Sequence, residues 1–250
     1  MIKLTVLGVG TPFSIKHGTT SFILSFDDVE HNLLVEAPDR IFNVVNKYGN
    51  GIKLRDIDHV YISHIHGDHV NGLEPLGFWN RYSIQRRLHV FMGEGITSSF
   101  IRRFKDPMGS CGPRLGEHVE LDFYFDIHPL KEGIKQIIDI GGKRIGLEIM
   151  KTTHCVPTYA FKLEYDGKCV GYSADTEFSK ELVSFLKGCD VIIHELGNTP
   201  INHTTIEDLK QLPNEVLNKI YWIHYPDNIS TYIKDENIRL LYEGEQIYLD

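Results

Sequence analysis

His64-Ile65-His66-Gly67-Asp68-His69 follows directly on the apolar run Val60-Tyr61-Ile62-Ser63, and this stretch decides how the rest of the chain is read. Residues 58–63 read as a strand, so the six residues after it sit at a strand end. Four potential metal donors within six positions are costly as mere structure, because each buried polar group demands its own partner. A turn brings His64 and His66 to one side while Asp68 and His69 face a second point about 3.5–4 Å away, the usual two-metal spacing. Nitrogen and oxygen donors without a thiolate suit Zn, Mn or Fe rather than a Cys-type structural zinc site.

The surrounding chain has 250 residues, 42% hydrophobic and 24% charged, enough for a buried core and too apolar for a disordered segment. That length suits one large domain or two tightly merged halves. With no linker or internal repeat, 1–250 is read as a single domain. No apolar run approaches the roughly 18 residues of a membrane span. The opening residues read as a first strand rather than a signal peptide, so no membrane association is expected. Asp and Glu number 34 against 26 Lys and Arg, a formal charge of −8. Such a balance argues against a long nucleic acid as partner, since a phosphate backbone rewards clustered cations. A pocket for one or two phosphates stays open. Cys111, Cys155, Cys169 and Cys189 form no CxxC pair and read as reduced thiols of a cytoplasmic protein.

Residues 2–7, 21–26 and 32–36 read as strands, the last two joined by an acidic turn at Asp27-Asp28. Pro38 opens a helix whose apolar positions Ile41, Val44, Val45 and Tyr48 recur at helical spacing up to Gly49. Further strands are expected at 87–92, 118–125, 145–150, 159–165, 169–172, 191–194, 220–224 and 238–241. Ser179 is placed to cap a helix through Leu186, with Glu181 and Lys187 at the ends the helix dipole favours. Strands in series in both halves, with helices between some of them, predict two sheets packed face to face and covered by helices. Residues 104–116 contain Pro107, Gly109, Gly112, Pro113 and Gly116 and are expected to form a long loop. Such a loop is either a surface excursion or a lid or dimer contact near the site.

The HxHxDH string at 64–69 resembles the signature of the metallo-β-lactamase superfamily, and the chain is similar to that family over nearly its whole length. Later landmarks come in order: His154 after Lys151-Thr152-Thr153, Asp175 in Tyr172-Ser173-Ala174-Asp175-Thr176, and His224 after Tyr221-Trp222-Ile223. The resemblance implies an α/β fold, a four-layer αβ/βα sandwich holding two divalent metal ions, Zn first, with Mn or Fe as alternatives. It implies His64, His66 and His154 on one ion, Asp68, His69 and His224 on the other, and Asp175 between them. Asp68 would also orient the attacking hydroxide. The family's usual glycine before the aspartate is Ala174 here. His194-Glu195 and Asn202-His203-Thr204-Thr205 resemble paired motifs of ribonuclease Z, a phosphodiesterase branch. Carried over, Glu195 orients His203, and His203 protonates the leaving oxygen. Thr204 or Thr205 is also placed to cap a helix entering at Ile206.

Members of that branch that trim tRNA 3′ ends commonly carry a long arm between the third histidine and the bridging aspartate. Here only 21 residues separate His154 from Asp175. They read as a hairpin, 159–165 then 169–172, turning at Asp166-Gly167. What remains resembles the compact cyclic nucleotide phosphodiesterases of this fold, in particular the anti-Pycsar proteins of phages and bacteria. That resemblance implies hydrolysis of 3′,5′-cyclic mononucleotides (cCMP, cUMP, cAMP, cGMP) to 5′-monophosphates, and evasion of an immune signal in the host cytoplasm by a homodimer. A ribonuclease Z-like tRNA 3′ endonuclease, a hydrolase of another small phosphodiester and a non-hydrolytic iron protein are the alternatives. Phe78, Trp79, Tyr82 and Tyr159 are candidates for stacking on a nucleobase, although residues at such spacings more often belong to the core. His17, His31, His59, His89, His118, His128 and His194 match no motif and read as surface or hydrogen-bonded residues. Cys155 reads as a packed thiol, and Gly8-Val9-Gly10-Thr11-Pro12 as a glycine turn without a dinucleotide fingerprint.

Overall fold

Thirteen strands are found among the described residues of the computed structural model, which are 1–27, 30–197, 199, 201–231, 233 and 238–250. The acidic turn expected at Asp27-Asp28 runs outside those residues. The first six strands are β1 (Ile2–Gly8), β2 (Ser21–Phe26), β3 (Asn32–Val35), β4 (Ile57–Ile62), β5 (Leu88–Gly93) and β6 (Phe125–Leu130). Then come β7 (Gln136–Ile140), β8 (Lys143–Lys151), β9 (Tyr159–Tyr165), β10 (Lys168–Tyr172), β11 (Val191–Glu195) and β12 (Ile220–Ile223). The last is β13 (Gln246–Leu249). One sheet has the order β13-β1-β2-β3-β4-β5-β6 and the other β12-β11-β10-β9-β8-β7. Both are mixed: β3 to β6 run parallel in the first, and β10 to β12 in the second.

Alternation along the strands gives each sheet an apolar inner face, and aromatic rings join the two. Phe22 meets Tyr172, Tyr61 meets Phe161 and Phe26 meets Tyr165, each edge to face with centroids 4.9 to 5.5 Å apart. That geometry is the one the ring quadrupoles favour. Helices cover the outer faces. On the first sheet they are α1 (Ile41–Tyr48), α2 (Gly67–Val70), α3 (Leu73–Phe78) and α4 (Thr97–Gly109). On the second, α5 (Lys180–Leu186) lays Leu186 over Gly171 of β10. The result is the four-layer αβ/βα sandwich expected. Among the described residues no helix is long and apolar enough to cross a membrane.

Local signals account for much of this. Asp166 (φ 51°) and Gly167 (φ 74°) are both left-handed, as the tight turn between β9 and β10 requires. The Ser179 hydroxyl accepts the Leu182 N–H at 3.2 Å and caps α5. Thr205 caps α6 (Ile206–Leu209), with the Asp208 carboxylate accepting the Thr205 N–H at 2.9 Å.

Other segments depart from expectation. Residues 104–116 are not one loop, because Phe104 to Gly109 continue α4 through Pro107. Phe100, Phe104 and Met108 recur every fourth residue and are buried, the two rings against Phe125. A proline inside a helix costs about 3 kcal/mol, whereas burying three such side chains contributes about 1.5–3 kcal/mol each. Residues 118–125 hold a single 3₁₀ turn, Leu121–Phe123, and the strand is β6 further on. As the sheet's edge, β6 tolerates Asp126, His128 and Pro129, which hide its strand character in the sequence. The unexpected β7 is likewise an edge strand. Residues 238–241 make one bridge, Leu240 to Trp222, rather than a strand. The first helix begins at Ile41, past Pro38.

Phe100→Ala is expected to destabilise the fold by about 3–5 kcal/mol. Ile101→Ala, at the exposed neighbour, should cost no more than about 0.5 kcal/mol. Urea denaturation of the two variants reads the difference, and equally small effects would return this segment to a loop.

Candidate metal centre

Strand direction assembles the site. β4 delivers residues 64–69 at its C-terminal end. In the second sheet β8 is antiparallel to β9 and β9 to β10, so β8, β10, β11 and β12 all point one way. Their ends deliver His154, Asp175, Glu195 and His224. Two hydrogen bonds draw the rims together: the Tyr159 N–H donates to the Ser63 carbonyl at 3.0 Å, and the Tyr61 hydroxyl donates to the Tyr159 carbonyl at 2.8 Å.

All seven expected donors meet in one cleft. His66 Nδ1 lies 3.0 Å from His64 Nε2 and 3.3 Å from His154 Nε2. Asp68 Oδ2 lies 3.2 Å from His69 Nε2 and 3.5 Å from His224 Nε2. Between the two groups stands Asp175 Oδ2, at 3.9 Å from His64 Nε2, 3.6 Å from His69 Nε2 and 3.4 Å from His224 Nε2. With metal–donor bonds of about 2.0–2.2 Å, tetrahedral donors stand about 3.3–3.6 Å apart, so these separations are close to what donors sharing an ion require. Both ring nitrogens of His69 and His224, and Asp175 Oδ1, are buried without a hydrogen-bond partner. Buried polar atoms are rarely left so. Orphaned donors of nitrogen and oxygen type fit a pair of divalent ions.

The electrostatics divide the site. Burial pushes the His64 imidazole well below its ordinary value, and it lowers His66 and His154 too. These three rings are therefore neutral, the form that binds a cation. Burial also opposes charge on His69 and His224, but facing Asp175 outweighs it and raises both, with Glu36 adding to the effect on His69. For Asp68 and Asp175 burial would raise the carboxyl, yet the His69 and His224 rings hold both below the usual carboxylate range.

Further groups aim the rings. His154 Nδ1–H donates to the Asn202 carbonyl at 3.0 Å, which leaves Nε2 with its lone pair toward the cleft. Ser63 Oγ lies 2.9 Å from His64 Nδ1. Glu36, fully buried at the end of β3, places Oε1 3.4 Å from His69 Nδ1. Such carboxylates behind a metal-binding histidine fix its ring and raise its basicity. Sequence reading missed Glu36; an acid closing the apolar run Leu33-Leu34-Val35, with no cation beside it, is the only signal. Cys155 is exposed at the cleft rather than packed, with Sγ 3.6 Å from His66 Nε2.

Glu195 and His203 form the expected pair: His203 Nδ1 donates to Glu195 Oε2 at 3.0 Å. The other carboxylate oxygen accepts from the Thr176 N–H at 2.6 Å and the Thr204 N–H at 3.3 Å, so the acid cannot turn. Burial opposes charge on His203, but the Glu195 carboxylate wins and raises it. The backbone is left-handed at Glu36 (φ 62°), Ala174 (53°), Asn202 (65°) and His224 (56°). Strain of this kind costs about 1–3 kcal/mol per residue and gathers at functional sites. At Ala174 it explains why a glycine is usual there.

The cleft measures about 500 Å³. His66, Asp68, His154, Asp175, His203 and His224 line it, with Phe13 at its mouth, 90% exposed. The four aromatic candidates for stacking on a base do not line it. Phe78 packs on Tyr124 and Trp79 on Phe42, the Tyr82 hydroxyl donates to the Cys111 carbonyl, and Tyr159 is buried against Gly93. The turn through Thr11 and Pro12 carries Phe13 instead.

A family model described as "Anti-Pycsar protein Apyc1" matches residues 2–248. The chain is 28% identical over 236 residues to a protein of that description from Paenibacillus sp. (strain J14), covering 92% of each. It is 29% identical over 259 residues to the "cAMP/cGMP-dependent 3′,5′-cAMP/cGMP phosphodiesterase B" of Dictyostelium discoideum, covering 96% of this chain and 22% of that one. Among solved structures it is similar to the metallo-β-lactamase fold protein YhfI from Bacillus subtilis, at a TM-score of 0.74 and 18% identity. That match covers 99% of this chain and 100% of the other, and the fold is the metallo-β-lactamase fold.

Glu36→Gln keeps the side chain's shape and removes the charge facing His69. It is expected to weaken divalent metal uptake about 10–100-fold, measured by competition with a chelator. Unchanged affinity would leave Glu36 with no part in the site.

Proposed function

The chain belongs to the anti-Pycsar protein Apyc1 family, and from that membership we propose that it opens 3′,5′-cyclic mononucleotides to 5′-monophosphates. The observation that carries the reading is a proton donor held beside a paired donor cluster: His203, fixed by Glu195, on the wall of the same cleft as Asp68 and Asp175. His64, His66 and His154 would hold one ion, Asp68, His69 and His224 the other, and Asp175 both. We assign zinc as the metal. Bound there, such ions neutralise phosphate charge and lower the pKa of water toward about 7.

The chain's own residues do the rest. Asp68, kept ionised by its imidazole neighbours, accepts a hydrogen bond from the attacking water and aims it at phosphorus. Attack in line breaks the bond from phosphorus to the ribose 3′-oxygen. Glu195 holds His203 through Nδ1, so that Nε2 is free to deliver a proton to that departing oxygen. A cleft of about 500 Å³ suits a mononucleotide. Phe13 is the aromatic surface we assign to the base, since stacking tolerates every base. The short hairpin between His154 and Asp175 and the charge of −8 disfavour tRNA processing. The same reading takes residues 1–250 as one catalytic unit, working as a homodimer in the cytoplasm.

Asp68→Ala and His66→Ala are expected to abolish hydrolysis of cCMP, cUMP, cAMP and cGMP by metal-loaded protein, followed by chromatography with a precursor tRNA alongside. Inert cyclic nucleotides beside a processed tRNA would overturn the reading. His203→Ala should lower kcat roughly 10²–10⁴-fold on cyclic nucleotides. It should do far less harm with a nitrophenyl ester, whose leaving group needs no proton. Equal losses on both substrates would remove His203 from the role of general acid.

A further inference from the structure

A second set of donors stands on the inner face of the first sheet, where β4, β5 and β6 lie side by side. The register pairs His59 with His89, His89 with Asp126 and Phe91 with His128, so all five side chains share that face. His59 precedes His64 by five residues, which puts this cluster about 16 Å along the strand from the catalytic cleft. His89 Nδ1 lies 3.0 Å from His128 Nε2 and 3.6 Å from Asp126 Oδ2. These spacings match those among His64, His66 and His154.

The rings are held in place. His89 stacks with His59 at 4.7 Å and 12°, and with His128 at 5.3 Å and 26°; His128 also stacks on Phe91 at 4.7 Å and 19°. Asp58 anchors His59 Nδ1 at 2.7 Å and is itself 3.4 Å from the Arg86 guanidinium. Burial keeps His89 and His128 below the ordinary imidazole value, so their lone pairs are available at neutral pH. His89 and His128 line a cleft of about 730 Å³, whose facing wall includes Gln136, Ile138 and Asp139 of β7, and Asp126 stands half-buried beside them. Among the described residues Arg87, 3.5 Å from Asp126 and half-exposed, is the one Lys or Arg paired with that carboxylate, and its long side chain can swing into solvent.

We propose that His89, Asp126 and His128 form a further metal site, for one divalent cation of the zinc class, separate from the catalytic cleft. Two imidazoles and one carboxylate supply three corners of a tetrahedron and leave the fourth to water from the cleft. The ion would tie the edge strand β6 to β5. The inference does not rest on the proposed reaction.

Equilibrium dialysis of the full chain against Zn²⁺ tests it, comparing wild type with His89→Gln/His128→Gln. The double variant should take up one ion fewer and hydrolyse cyclic nucleotides at the wild-type rate. Equal zinc uptake by the two proteins would overturn the site. Anomalous diffraction at the zinc edge reads the wild type alone and needs no variant. A peak among His89, Asp126 and His128 supports the proposal, and zinc confined to the catalytic cleft refutes it.

Discussion

One oxygen of Asp175 faces imidazoles from both sheets, and much of the structure follows from holding it there. Burial alone would protonate this carboxyl; His224 and His69 keep it ionised, and Glu36 and Asp68 in turn balance His69. The charges close on one another at the buried floor of the cleft. Such a closed set survives only if its members cannot drift, and hydrogen bonds join Tyr159 to Ser63 and Tyr61 to Tyr159 across the sandwich. Left-handed residues at Glu36, Ala174, Asn202 and His224 persist for the same reason, since the packed sheets over-determine them.

The sequence was legible where chemistry is dense or turns are tight. HxHxDH after an apolar run exposes both the strand and its donors, and Asp166-Gly167 and Ser179 mark a hairpin and a cap through plain backbone physics. His154, Asp175 and His224 are isolated in the chain and become legible through the family pattern, since their convergence depends on long-range strand pairing. Glu36 is illegible for a related reason: its partner His69 is 33 positions away. α4 hides behind Pro107 because burial of Phe100, Phe104 and Met108, which overrides proline, is a tertiary effect. β6 hides because an edge strand need not be apolar. Of the aromatic candidates Tyr159 is buried, Phe78 and Trp79 pack on neighbouring rings and Tyr82 is exposed away from the cleft, so spacing alone does not say which ring reaches a site, and Phe13 sits in a turn that no periodicity marks.

The proposed preference for small phosphodiesters has a geometric basis that agrees with the charge. The interval between His154 and Asp175 is spent on a hairpin completing the second sheet, leaving the cleft walls as the surface a substrate meets. An acidic exterior repels long polyanions, while the ions that the donors would hold concentrate positive charge at one point in the cleft. A single phosphate with a planar base satisfies both conditions.

Because its donors are drawn from both layers, the site is also a gauge of how firmly those layers grip. A relative slide of about 1 Å, too small to melt any strand, is the kind of misplacement that costs on the order of 100-fold in rate. Slack in the aromatic seam formed by Phe22, Tyr172, Tyr61 and Phe161 would reach the site as just such a slide. Under heat stress the output of this protein would fall while its shape still looked intact.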